Sequence, residues 1–234
     1  MKYGIQTMEQ NQKKKLPDGR QMSERFRNSI FLALSGGFQD AYTYQARQKV
    51  FSNAQTGNVV LFSQHFMAGE FMQAVRYLMP LLAFALGVFV TEQIQSNYKY
   101  SKKLHWRQMI LLVEILLLFI VGFLPHSLDM LASVLVSFTC AMQVQAFRKV
   151  RGYAYASTMC IGNLRSATAA LSGFTREHDP ELAKRSIAYF GVILVFAIGA
   201  GIGGLFTIRY GIHMIWFSCL FLMISVLLMF FNEK

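Results

Sequence analysis

The chain has 234 residues, 54% of them apolar or aromatic and 15% charged, with a mean hydropathy of +0.35. An ordinary soluble domain carries about 25% charge, so this composition excludes a disordered chain, a disulfide-stapled scaffold and a typical cytosolic enzyme. The formal charge is +11, from 23 Lys and Arg against 12 Asp and Glu. The basic residues stand between long apolar runs, which is the loop pattern of a membrane protein and not of a nucleic-acid binder. An all-α integral membrane protein is expected.

Residues 1–27 are polar and carry Lys13, Lys14, Lys15, Arg20, Arg25 and Arg27 without a preceding apolar stretch, so they read as a flexible cytosolic arm and not as a cleavable signal peptide. A single transmembrane domain is expected over 28–231. A spanning helix needs about 20 mostly apolar residues. Six runs approach this: Ser29–Gln45, Tyr77–Gln95, Met109–Leu124, Leu128–Phe147, Ile187–Ile208 and Ile212–Phe231. Two weaker segments lie among them, Ala54–Gly69 with Gln55, Asn58, Gln64 and His65, and Ala156–Gly173 with Asn163 and Arg165.

The weak segments resemble each other at an offset of 105, with Ala41/Ala146, Ser52/Ser157, Gly57/Gly162 and Asn58/Asn163 identical; further on, Tyr77 to Gly87 aligns with Tyr189 to Gly199. The chain therefore reads as two repeats, about 28–125 and about 126–231. Lysine and arginine positions select the topology. If both weak segments cross, the split is an unbiased 12 inside and 10 outside. If both dip in and return, 18 lie inside and 4 outside (Arg47, Lys49, Arg76 and Arg209), with Arg165 in the second dip. The positive-inside rule selects six spans plus two re-entrant segments, both termini cytoplasmic. Three spans per repeat is odd, so the repeats are inverted and the dips approach the midplane from opposite faces.

The residues expected to carry function follow from this plan. Thr56, Gly57 and Asn58 in the first dip, and Gly162 and Asn163 in the second, read as bends opening half-helices whose N–H groups face the centre and suit a polar or anionic solute. Asp40 and Arg165 are ionisable groups at membrane depth, expected as a buried pair or as two walls of one polar site. Gln145 is the repeat mate of Asp40. Glu114, Gln143 and Gln145 read as interhelical hydrogen-bonding groups. Gly199, Gly201, Gly203 and Gly204, like Ala83 and Gly87, make small-residue faces for close helix packing, or secondarily for a contact between copies in a homo-oligomer. Cys140, Cys160 and Cys219 lie in apolar stretches as small hydrophobes. The five histidines have no metal-ligand spacing, and no catalytic motif stands in a usable context, so neither cofactor, metal nor enzyme is expected.

Gly36-Gly-Phe-Gln-Asp-Ala41, Phe51-Ser-Asn-Ala-Gln-Thr-Gly-Asn-Val59 and Ala83-Phe-Ala-Leu-Gly87 resemble the YoaK-like family of uncharacterised bacterial membrane proteins, and Gly162-Asn-Leu-Arg165 resembles that family's later TGNLR-like stretch. The family typically has Thr before the second Gly-Asn, where this chain has Ile161. The resemblance covers residues 28–230 and implies a bacterial inner-membrane protein; it supplies no substrate. From the residues, a transporter or channel for a small polar solute at the repeat interface is the leading expectation. A non-catalytic assembly or sensor protein is the alternative, and a lipid-acting enzyme built on Asp40, His65 and Arg165 comes third.

Overall fold

The computed structural model describes residues 26–98, 105–150 and 153–231. The arm expected over residues 1–27 therefore lies mostly outside the described residues. Among these residues eight α-helices run in chain order: α1 Phe26–Ala46, α2 Gln55–Met67, α3 Phe71–Tyr98, α4 Trp106–Val121, α5 Asp129–Ala146, α6 Cys160–Glu177, α7 Pro180–Tyr210 and α8 Trp216–Phe231. A departure from the all-α expectation is a short antiparallel pair, β1 Lys149–Val150 and β2 Tyr153–Ala154.

Local sequence sets the helix ends. His105 and Gln108 cap the start of α4 reciprocally, which satisfies two N–H groups that have no partner inside the helix. Asp179 accepts the Glu181 N–H ahead of Pro180, which opens α7 where its missing N–H loses nothing. Gly211, at φ 82°, ends α7 in a backbone conformation that side chains with a Cβ rarely adopt.

Among the described residues four helical stretches are long and apolar enough to cross a membrane: Phe71–Tyr98, His126–Ala146, Pro180–Tyr210 and Ile212–Phe230. The other two expected spans correspond to α1 and α4. α1 carries Ser29, Ser35, Gln39 and Thr43, all buried against neighbouring helices, so its polar residues face protein and its mean hydropathy falls. α4 has 16 residues, about 24 Å at 1.5 Å per residue.

The two largest helix contacts are reciprocal: α1 packs on α7, and α5 packs on α3. α1 also packs on α8 as α5 does on α4. At both principal crossings a glycine admits a backbone. A Cβ on Gly199 would strike the Leu34 carbonyl, and one on Gly87 would strike the Phe138 carbonyl. The matching positions of the aligned segments thus do the same packing.

The bundle has two ends. At one, Arg47 at the foot of α1 bonds Asp129 at the start of α5 and the Val121 carbonyl at the end of α4. At the other, Arg107 at the start of α4 donates to the Ala146 carbonyl at the end of α5. α5 therefore runs antiparallel to α1. α8 does too, because Ser218 meets Ser35 while Ser225 meets Asn28.

Candidate functional site: where two irregular segments meet the first helix

Gly36, midway along α1, is reached by both irregular segments. Asn53 donates its side-chain amide to the Gly36 carbonyl at 3.0 Å. Thr158 Cγ2 lies 2.5 Å from where a Cβ on residue 36 would stand. Gly36 is ten residues, about 15 Å, from the end of α1. Residues 47–54 thus run back along α1 from the Arg47 end before α2 leads out again to the Ala68–Glu70 turn. Residues 155–159, past the β1–β2 pair, run in from the opposite end, and α6 leads out to Glu177. Ser52, Asn53, Ser157 and Thr158 are all buried.

The two segments share one local device. Asn58 donates to the Phe51 carbonyl at 2.8 Å, and Asn163 donates to the Ala156 carbonyl at 2.7 Å. Each Asn reaches back seven residues and holds the inward-running strand against the helix that follows. This corrects the expected bend at each Gly-Asn. α2 begins at Gln55 and α6 at Cys160, so both Gly-Asn pairs lie in a first helical turn. Among the described residues the glycines with positive φ are Gly69 and Gly211. The bend lies upstream, fixed by the Asn side chains and not by glycine freedom. A Cβ on Gly57 would meet the Phe51 ring in ordinary contact at 3.5 Å, and Gly162 is exposed with nothing within 4 Å of a Cβ, so neither position needs glycine for space. Thr56 is exposed at the surface.

Asp40 sits four residues beyond Gly36. Its Oδ1 accepts the Asn53 N–H at 2.9 Å and the Ser52 hydroxyl at 3.3 Å. A carboxylate at the N–H groups ahead of a helix is stabilising by about 0.3–1 kcal/mol. The position expected to receive an anion is therefore held by the chain's own carboxylate. Asp40 also lines an open groove of about 580 Å³ between α1 and α7, with Tyr44, Phe51, Phe196, Ala200 and Gly204 among its walls.

Arg165 does not meet Asp40. It is exposed on α6 and lines a separate groove of about 310 Å³ with Arg185, and among the described residues no ion pair joins it to Asp40. Opposite signs in the sequence did not translate into contact because the two side chains leave the seam on different helices. Gln145 is also elsewhere: it donates to Glu92 near the end of the bundle, where Arg148 pairs with the same carboxylate at 3.2 Å. Gln143 is the glutamine in the seam, donating to the Leu32 carbonyl at 3.2 Å and the Ser157 hydroxyl at 2.8 Å. His65 is taken by Glu70 at 2.5 Å and stacks on Tyr77, so Asp40, His65 and Arg165 form no cluster.

Several buried polar atoms along the seam have no hydrogen-bond partner among the described residues: Asn53 Oδ1, Asn58 Oδ1, Thr158 Oγ1 and Gln143 Oε1. The orientation of the three amides follows from their carbonyl contacts, because each nitrogen donates to a backbone oxygen. Leaving such a group without a partner costs about 1–3 kcal/mol. With Asp40 close by, the seam is rich in acceptors.

Behind it lies a second polar cluster. Gln39 Nε2 approaches Ser35 at 2.9 Å, Glu114 Oε1 at 3.0 Å and Ser218 at 3.0 Å, and Cys140 donates to Gln39 Oε1 at 2.8 Å. It joins α1, α4, α5 and α8. The apolar run around Glu114 announced that this residue must face protein; nothing in the run named Gln39 as its partner. A third group was hidden altogether. Arg47, read from the sequence as an outer-loop charge, is fully buried. Its guanidinium meets Asp129 at 2.7 Å, the Tyr42 hydroxyl at 2.8 and 3.0 Å and the Val121 carbonyl at 3.1 Å.

The family described as protein of unknown function (DUF1275) matches residues 29–228. The chain belongs to this family, an apolar helical architecture compatible with a membrane protein. No curated protein and no solved structure matches the chain.

Proposed function

We propose that this protein is a transporter or channel of the bacterial inner membrane, with six spans, two re-entrant segments and two inverted repeats. It passes a small polar solute at the seam beside α1. The observation that carries this reading is the approach of two irregular segments to Gly36 from opposite ends of the bundle. Irregular backbone at membrane depth is tolerated only where protein buries it or a wet cavity lies beside it. The reciprocal helix pairing and the matched Asn58 and Asn163 contacts support inverted repeats. Charge supports the orientation. Arg27, Arg107, Arg148, Lys149, Arg176, Lys184 and Arg185 stand toward one end. The other has Lys49, Arg76 and Arg209, plus Arg47 neutralised in its buried pair.

The acceptor-rich seam favours a solute that donates hydrogen bonds, neutral or cationic, over the anion suggested by the half-helix starts alone. The test is uptake into proteoliposomes of urea, glycerol, guanidinium and methylammonium beside acetate and phosphate. Flux of at least one donor-rich solute is expected, lowered by Asp40→Asn, which keeps an acceptor for the Asn53 N–H. Flux of none of them above empty vesicles refutes transport of this class, and selective anion flux refutes the assignment of the seam. Topology is tested separately in a background lacking Cys140, Cys160 and Cys219. Gln48→Cys and Ala68→Cys flank α2 and are expected to label from the same side, with Ser101→Cys on the other. Labelling of 48 and 68 from opposite sides makes α2 a span and removes the basis of the reading.

A further inference from the structure

The groove between α6 and α7 has features that transport does not use. Arg165, Ser166, Ala169, Ala170, Leu182 and Arg185 line it, with no carboxylate among them. Neither arginine has an ion-pair partner among the described residues. Arg185 is nevertheless held in place, its guanidinium lying over the Tyr153 ring at 5.2 Å and near the Tyr189 ring at 5.8 Å, while its Nε is buried without a hydrogen bond. Two guanidinium groups sharing one groove without an acid repel each other, and an anion between them removes that repulsion. Guanidinium forks match the oxygens of a phosphate.

Position and surroundings identify the carrier of that phosphate. Arg185 is five residues from Pro180, about 8 Å along α7 from the basic end of the bundle. Large apolar side chains are exposed on the same two helices: Ile161 is 79% exposed and Ile187 70%, and Leu164 and Leu171 are exposed as well. A free phosphate has no use for that surface; the acyl chains of a phospholipid do. Basic pockets between helices at the cytoplasmic face are suited to anionic headgroups.

We infer that the α6–α7 groove binds the phosphate of an anionic phospholipid through Arg165 and Arg185, with the lipid chains lying on the apolar faces of these helices. The inference does not depend on what the seam carries.

The test uses the full-length protein purified in a neutral detergent, with phosphatidylglycerol, phosphatidylcholine and inorganic phosphate as probes, and binding read by native mass spectrometry and by the thermal transition. Phosphatidylglycerol is expected to bind and raise the transition, while phosphatidylcholine and phosphate do not. One basic residue near a membrane surface contributes about a fivefold affinity change, so Arg165→Gln and Arg185→Gln each weaken binding about fivefold and the pair about thirtyfold. Arg176→Gln, whose guanidinium is turned to Ser172, leaves binding unchanged. Arg185→Lys keeps the charge and guards against misfolding as the cause of loss, and retains more affinity than Arg185→Gln. Equal binding of phosphatidylcholine, or an unchanged double variant, overturns the inference. Inorganic phosphate displacing phosphatidylglycerol at low millimolar concentration makes this a free-anion site and overturns the lipid assignment.

Discussion

The buried Arg47–Asp129 pair is the sharpest test of how α1, α4 and α5 are joined. Arg47 is 0% exposed and the Asp129 side chain 8%. The guanidinium spends its donors on Asp129, the Tyr42 hydroxyl and the Val121 carbonyl, so no part of it is solvated. Removing one partner of a buried pair leaves an uncompensated charge and costs about 3–5 kcal/mol. Asp129→Leu strands the cation, and is expected at that full cost. Arg47→Met strands a carboxylate that keeps His126 nearby at 3.3 Å and some exposure, so the lower end of the range is expected. Replacing both, Arg47→Met with Asp129→Leu, removes both charges, and the sum is expected within about 1 kcal/mol of the parent, as apolar substitution of buried pairs is often neutral. The assay is a double-mutant cycle from reversible unfolding in mixed micelles, followed by helical circular dichroism. Coupling of at least about 2 kcal/mol is expected. Additive effects, or single variants within about 0.5 kcal/mol of the parent, refute the reasoning.

Other consequences are open to measurement. Gly199→Val should drive α1 from α7, costing about 1–3 kcal/mol or more by overpacking, whereas Gly201→Ala, with open space at its Cβ, should leave the thermal transition unchanged. Asn58→Ala and Asn163→Ala each remove the bond that holds an inward-running strand; each should destabilise by about 1–3 kcal/mol, and clearly unequal costs in the same unfolding assay would show that the two Asn are not equivalent. Gln39→Leu leaves Glu114 and two serine hydroxyls without their common partner, so a loss of about 2–3 kcal/mol is expected; an unchanged transition would mean that the α1–α4–α8 cluster contributes nothing. Tyr42→Phe removes the hydroxyl that accepts from Arg47 and should cost about 1.5–3 kcal/mol, read in the same cycle.

Hydrophobic runs, punctuation and self-similarity made much of this protein legible in its sequence. The apolar runs coincide with α1, α3, α4, α5, α7 and α8 because each must bury or shield its backbone in a helix. The offset of 105 placed Asn58 and Asn163 as equivalents, and they make equivalent bonds, because the device is local: an Asn reaching a carbonyl seven residues back. Glycines at 87 and 199 marked close approaches for the same reason, that a missing Cβ is the one way to admit a neighbouring carbonyl.

What tertiary structure alone decided concerns which charges and amides meet. Composition placed Arg47 in an outer loop, yet Asp129, 82 residues on, draws it into the core. Asp40 and Arg165 have opposite signs, yet the helices carrying them turn them into separate grooves. The repeat register assigned Gln145 to the seam, while helix rotation puts Gln143 there, since residues two apart on a helix face different directions. Asp40 of α1 takes the place ahead of α2 expected for an anion, and its partner, the Asn53 N–H, is thirteen residues away in a segment with no regular structure. Periodicity reports which face of an element is buried. It does not report what stands against that face.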